Sequence, residues 1–130
     1  MDTTAGHVLV VDDASELRAV FRDILEDAGY RVSLVAAAPC AAAVARLRPD
    51  AILLDLLLGT DETAAWELVQ ALRRSPETCT VPVVVCSAAT LLLQELEPGL
   101  RALGATFVPK PFALDDLLDA IDRAVCSTQA

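Results

Sequence analysis

The chain is 130 residues long, with 55% hydrophobic and 22% charged residues, 4% aromatics and a formal net charge of -9. That balance excludes a disordered segment and predicts a single domain over residues 1–130, with Val, Leu, Ile and Ala filling a large core. The acidity argues against nucleic acid, which needs clustered Lys and Arg, and no apolar run approaches the roughly 20 residues of a membrane helix.

The opening Met1-Asp2-Thr3-Thr4 lacks the basic start and apolar stretch of a secretory leader. Cys40, Cys79, Cys86 and Cys126 show no metal-ligand spacing. They read as reduced thiols of a cytoplasmic protein, with Cys86 in the core.

In chain order, Val8-Leu9-Val10-Val11 suits a strand covered on both faces and ends in Asp12-Asp13. His7, just before it, reads as a surface residue. Ser15 is expected to cap a helix with apolar residues at Leu17, Val20, Phe21, Ile24, Leu25 and Ala28, stopped by Gly29. Tyr30 to Ala36 reads as a second strand and Pro39 or Cys40 to Leu47 as a short helix. Pro49-Asp50 then turns into Ala51-Ile52-Leu53-Leu54-Asp55-Leu56-Leu57-Leu58-Gly59, a buried strand interrupted by one carboxylate. A charge there is costly unless something pairs with it.

A third helix carries Leu68, Val69 and Leu72 and ends at Ser75-Pro76, with Trp66 expected to serve packing. Val81 to Cys86 reads as a fourth strand that stops at Ser87. Leu91, Leu92, Leu93, Leu96, Leu100 and Leu103 suggest a fourth helix that Pro98-Gly99 should kink or divide. Those leucines exceed one helical stripe, so part of them can face a partner or a second copy. Thr106-Phe107-Val108 is a short fifth strand before Lys110, and Leu114 to Val125 a last amphipathic helix.

Five strands alternating with five helices predict an α/β fold with a mostly parallel sheet and helices on both faces. Ligands of such sheets bind beyond the carboxyl ends of the strands. Asp12, Asp13, Asp55, Ser87 and Lys110 all fall at those ends. Carboxylates gathered there repel one another, so the site should either hold a proton or attract a cation, and oxygen-only ligands suit Mg²⁺. A lysine and a hydroxyl opposite would hold a phosphoryl group, with Asp55 as the oxygen nucleophile.

The strand ending in Asp12-Asp13, the strand ending at Asp55, Cys86-Ser87-Ala88 and Lys110-Pro111-Phe112, in that order and spacing, resemble a two-component response-regulator receiver domain over essentially the whole chain. The resemblance implies a flavodoxin-like, doubly wound (βα)5 fold with strand order 2-1-3-4-5. It makes Asp55 the phosphoacceptor for a sensor histidine kinase, a phosphotransfer protein or a small acyl phosphate. It also implies Mg²⁺ bound by Asp13, Asp55 and the Leu57 backbone carbonyl, with Asp12 acting mostly through water. Ser87 and Lys110 then hold the phosphoryl oxygens, Phe107 takes the place of the switch aromatic, and the Lys110-Pro111 bond is commonly cis. A downstream protein partner is implied, and a homodimer through the fourth helix, fifth strand and fifth helix is a further possibility.

Departures from the family pattern cluster after Asp55. Gly59 stands where proline is usual, and the usual downstream Asp-Gly turn is missing, which predicts a remodelled loop. Leu57 and Ala89 occupy positions that influence phosphoryl loss, and neither offers a polar group to position water, which predicts slow self-dephosphorylation. Two other classes compete with a phosphorylated switch. A binding module could keep the pocket and signal without phosphate. A hydrolase with an aspartyl-phosphate intermediate is disfavoured, because no second acid stands two residues after Asp55 and no general-base His is available.

Overall fold

The computed structural model describes residues 6–55, 64–87, 90–109 and 113–129. Its elements are β1 (Gly6–Val11), α1 (Ser15–Asp27), β2 (Tyr30–Val35), α2 (Ala41–Leu47), β3 (Ala51–Asp55), α3 (Ala64–Arg74), β4 (Val83–Ser87), α4 (Thr90–Ala102), β5 (Thr106–Pro109) and α5 (Leu114–Gln129). The strands form one sheet in the order β2-β1-β3-β4-β5, and every adjacent pair is parallel. This is the doubly wound order expected from the resemblance.

Burial on both faces explains why the strands read as continuous apolar runs. Leu9, Val11, Ile52, Leu54, Val83 and Val85 pack against Val44 of α2, Leu68, Val69 and Leu72 of α3 and Leu100 of α4. The alternate residues Val8, Val10, Leu53, Val84 and Cys86 pack against Phe21 and Leu25 of α1 and Leu117 and Ile121 of α5. Cys86 is core as expected, while Cys40, Cys79 and Cys126 are exposed and unbridged. No helix among the described residues is long and apolar enough to cross a membrane.

Several local expectations are corrected. His7 is buried at 5% exposure, because it is the second residue of β1 and lies under a neighbour rather than before the sheet. Its Nε2 shares a 2.7 Å hydrogen bond with Ser33 Oγ of β2, while Nδ1 is buried without a partner. Ser15 is the first helical residue and does not cap α1; Ala14 holds the N-cap position with no side-chain bond to the helix. The side chain that steps in is Asp12, whose Oδ1 accepts the Ala14 N–H at 3.0 Å.

β4 starts two residues later than expected. The Val81 N–H closes a turn onto the Thr78 carbonyl, and the Val81 carbonyl accepts Arg73 Nη1 at 2.7 Å. The strand then runs one residue further, through Ser87.

Pro98 neither divides nor ends α4, which is continuous from Thr90 to Ala102. Two contacts hold its second half in place. Gly99 lies flush against α3, where a Cβ would sit 2.7 Å from Cη2 of Trp66. Arg73 Nε donates to the Leu103 carbonyl at 2.6 Å, just past the helix end. Trp66 thus serves packing, as expected.

Candidate phosphoryl-acceptor site

The site begins with register. β1 pairs with β3 so that Val11 stands opposite Leu54, which brings the residues that follow, Asp12 and Asp55, side by side at the carboxyl edge. Asp55 in turn pairs with Cys86, so Ser87 lies one step beyond it on the neighbouring strand, opposite Pro109 of β5. Parallel pairing of β1, β3 and β4 therefore brings Asp12, Asp55 and Ser87 to one edge, although they are scattered over the chain.

Asp12, Asp13 and Asp55 each offer a carboxylate oxygen within 4.8 Å of the other two. Asp12 is 2% exposed, Asp13 is exposed and Asp55 is half-buried. At that separation two ionised carboxylates repel by about 3.5 kcal/mol at an effective dielectric near 20, so the arrangement favours a cation among them. The donors are all hard oxygens, which fits Mg²⁺ rather than a softer metal.

The Asp12-Asp13 turn is held at several points. The Asp12 N–H donates to the Val35 carbonyl of β2 at 3.2 Å, its Oδ1 accepts the Ala14 N–H, and its carbonyl accepts Arg18 Nη1 at 2.8 Å. Arg18 escaped the sequence reading because its partner is a backbone oxygen. The available signal was its place one turn into the helix behind the acid pair.

Phe107 is half-buried against the α2, α3 and α4 side of the core, and the Arg101 guanidinium lies over its ring, 4.9 Å from the centroid. Arg101 also bonds Glu97 at 2.8 Å. Of the expected site residues, Asp12, Asp13 and Asp55 are brought together, and the backbone of Ser87 ends the adjacent strand. Leu57, Gly59, Ala89 and Lys110, with the Lys110-Pro111 bond, lie outside the described residues.

The sequence profile of the "Response regulator receiver domain" family matches residues 8–122. The chain belongs to the response regulator receiver domain family. It is 32% identical over 122 residues to the DNA-binding transcriptional regulator NtrC of Bradyrhizobium sp. (strain RP501 Parasponia), covering 93% of this chain and 24% of that protein. The chemotaxis protein CheY4 of Vibrio cholerae superposes with a TM-score of 0.77 at 29% identity, covering 91% of this chain and 97% of that one. The receiver domain of sensor histidine kinase PA1611 from Pseudomonas aeruginosa PAO1 also gives 0.77, at 26% identity, with 93% and 98% covered. That receiver's structure has a magnesium ion coordinated in its active-site cleft. The chain spans less than a third of NtrC and 48% of another relative, a response regulator MprA. Receivers thus occur in these relatives as parts of longer proteins.

Proposed function

We propose that this receiver accepts a phosphoryl group on Asp55 and switches conformation in response. The observation that carries the reading is the meeting of Asp12, Asp13 and Asp55 within 4.8 Å at the carboxyl edge of the parallel sheet. A lone carboxylate at a strand end would suit many roles. A triad of them is poorly explained by packing, because each added charge raises the cost of the others.

An Asp55 oxygen attacks the phosphorus, and the new O–P bond forms as the bond to the donor breaks. The electron pair leaves with the imidazole nitrogen of a phosphohistidine or with the carboxylate oxygen of an acyl phosphate. Asp13, Asp55 and the Leu57 carbonyl would hold Mg²⁺, with Asp12 acting mostly through water. When bound, that ion neutralises charge on the transferring phosphoryl oxygens. Ser87 and Lys110 take the remaining oxygens. The aspartyl phosphate carries about -1.5 to -2 of charge in place of the carboxylate's single charge and presents three strong acceptor oxygens, which draws Ser87 and Lys110 toward it and reaches Phe107 along β5. Leu57 and Ala89, at the positions that influence phosphoryl loss in the family, offer no polar group to position water, so hydrolysis of the aspartyl phosphate is slow.

The donor is a sensor histidine kinase or a phosphotransfer protein of the cytoplasm. Output passes to a downstream protein, with a homodimer through α4, β5 and α5 as one route. Residues 1–130 act as one receiver unit.

Incubation with Mg²⁺ and a small acyl phosphate, followed by intact-mass measurement, tests the reading. The wild-type chain should gain the mass of one phosphoryl group, and both Asp55→Asn and omission of Mg²⁺ should abolish the gain. No gain in the wild-type chain would leave the phosphorylation-independent module as the better account, and an equal gain in Asp55→Asn would overturn Asp55 as the acceptor.

A further inference from the structure

We propose that Arg18 is a positioning residue for the metal-binding turn, acting through the backbone carbonyl of Asp12; this rests on the reading of that turn as the Mg²⁺ site. The carbonyl of Asp12 and the N–H of Asp13 belong to one planar peptide unit. Fixing that oxygen therefore fixes the direction in which Asp13 leaves the turn. Arg18 Nη1 holds it at 2.8 Å.

The guanidinium has a rigid base. Arg18 sits in the first turn of α1, where its own N–H donates to the Ala14 carbonyl at 3.0 Å. Ala14 is also the residue whose N–H binds Asp12 Oδ1. The helix start, the buried Asp12 carboxylate and the Asp12-Asp13 peptide thus form one connected unit, with Arg18 closing it from the helix side. Asp13 is exposed, and the backbone that carries it starts from the peptide unit whose oxygen Arg18 holds.

Position and charge predict opposite signs. If Arg18 acted only as a cation near the site, removing it would tighten binding of a divalent ion. If it orients the turn, removing it weakens binding despite the gain in negative potential.

The test measures Mg²⁺ affinity by calorimetry on the full chain, together with amide hydrogen exchange of Ala14 in metal-free protein. Arg18→Ala should weaken Mg²⁺ binding by about tenfold, the lower end of what loss of an outer partner costs a metal site. It should also speed exchange at Ala14. Phosphorylation by acyl phosphate should need more Mg²⁺, while the rate at saturating Mg²⁺ stays close to wild type. Arg18→Lys keeps the charge and restores part of the affinity; it also carries the test if the alanine variant does not fold, since any loss of affinity there is geometric. Unchanged or tighter Mg²⁺ binding in the folded variants overturns the proposal. If the wild-type chain takes up no Mg²⁺, the functional reading fails, and exchange at Ala14 alone decides: faster exchange in Arg18→Ala supports the positioning role and unchanged exchange rejects it.

Discussion

His7, near the start of β1, and Ser33, in the middle of β2, join the two strands by a side-chain bond. With Nδ1 of His7 already unpartnered, removal of the Ser33 hydroxyl leaves a second buried ring nitrogen unsatisfied. Ser33→Ala should therefore cost about 1–3 kcal/mol in urea unfolding, more than the roughly 1 kcal/mol of an average hydrogen bond. Tyr30, on the other face, donates its hydroxyl to Asp122 of α5. Burial first, and then that carboxylate, push the phenol above its ordinary value. A raised pKa means that the folded chain keeps the proton after the unfolded chain has released it. The stabilising contribution is thus complete below about pH 10 and declines as the pH rises beyond it. Unfolding measured against pH should show a steeper alkaline loss in wild type than in Tyr30→Phe. Since the chain has one tyrosine, phenolate absorbance reports this group alone.

At the level of elements, α4 carries the sharpest conflict between local rule and tertiary contact. Proline inside a helix costs about 3 kcal/mol and glycine about 1 relative to alanine, yet the helix runs through both. Gly99 is retained by shape, because Trp66 lies where its side chain would be. Gly99→Ala should gain about 1 kcal/mol of helix propensity and lose about 1–3 to overpacking, so a net lowering of the melting temperature is expected. In a Trp66→Phe background the same substitution should turn neutral or stabilising, which a double-mutant cycle reads directly. Such contacts explain what the sequence did and did not disclose. The strands were legible because both faces are buried and the apolar runs are uninterrupted. α4 is not divided at Pro98 because Trp66 and Arg73, more than twenty residues away, supply what local propensity denies. Likewise, the start of β4 moved because Arg73 takes the Val81 carbonyl, and an arginine bound to backbone oxygens leaves no side-chain pattern to read. That guanidinium is half-buried, and the burial lowers its pKa.

For the whole molecule, the carboxylate triad is the part of the site that sequence alone placed well, because parallel pairing sends every strand end to one edge. The Arg18 contact was not legible, since it depends on the path of a turn rather than on spacing. The net charge of -9 sets another global property. The surface pairs Arg22 with Asp23, Arg101 with Glu97 and Arg123 with Asp119 are all substantially exposed, and such pairs contribute about 0–1 kcal/mol each. They do not offset self-repulsion of the acidic surface. Raising monovalent salt from about 0.01 M to 0.15 M shortens the Debye length from about 30 Å to about 8 Å and should raise the melting temperature. A fall would show that the ion pairs outweigh the excess charge. One packing feature has a practical side as well. The chain holds one tryptophan, and that indole rests on the glycine of α4, the helix that begins three residues after Ser87. The protein therefore carries its own optical probe: emission from Trp66 registers displacement of α4 without any attached label, so a stopped-flow trace after acyl phosphate addition can time the helix separately from the proposed phosphorylation of Asp55.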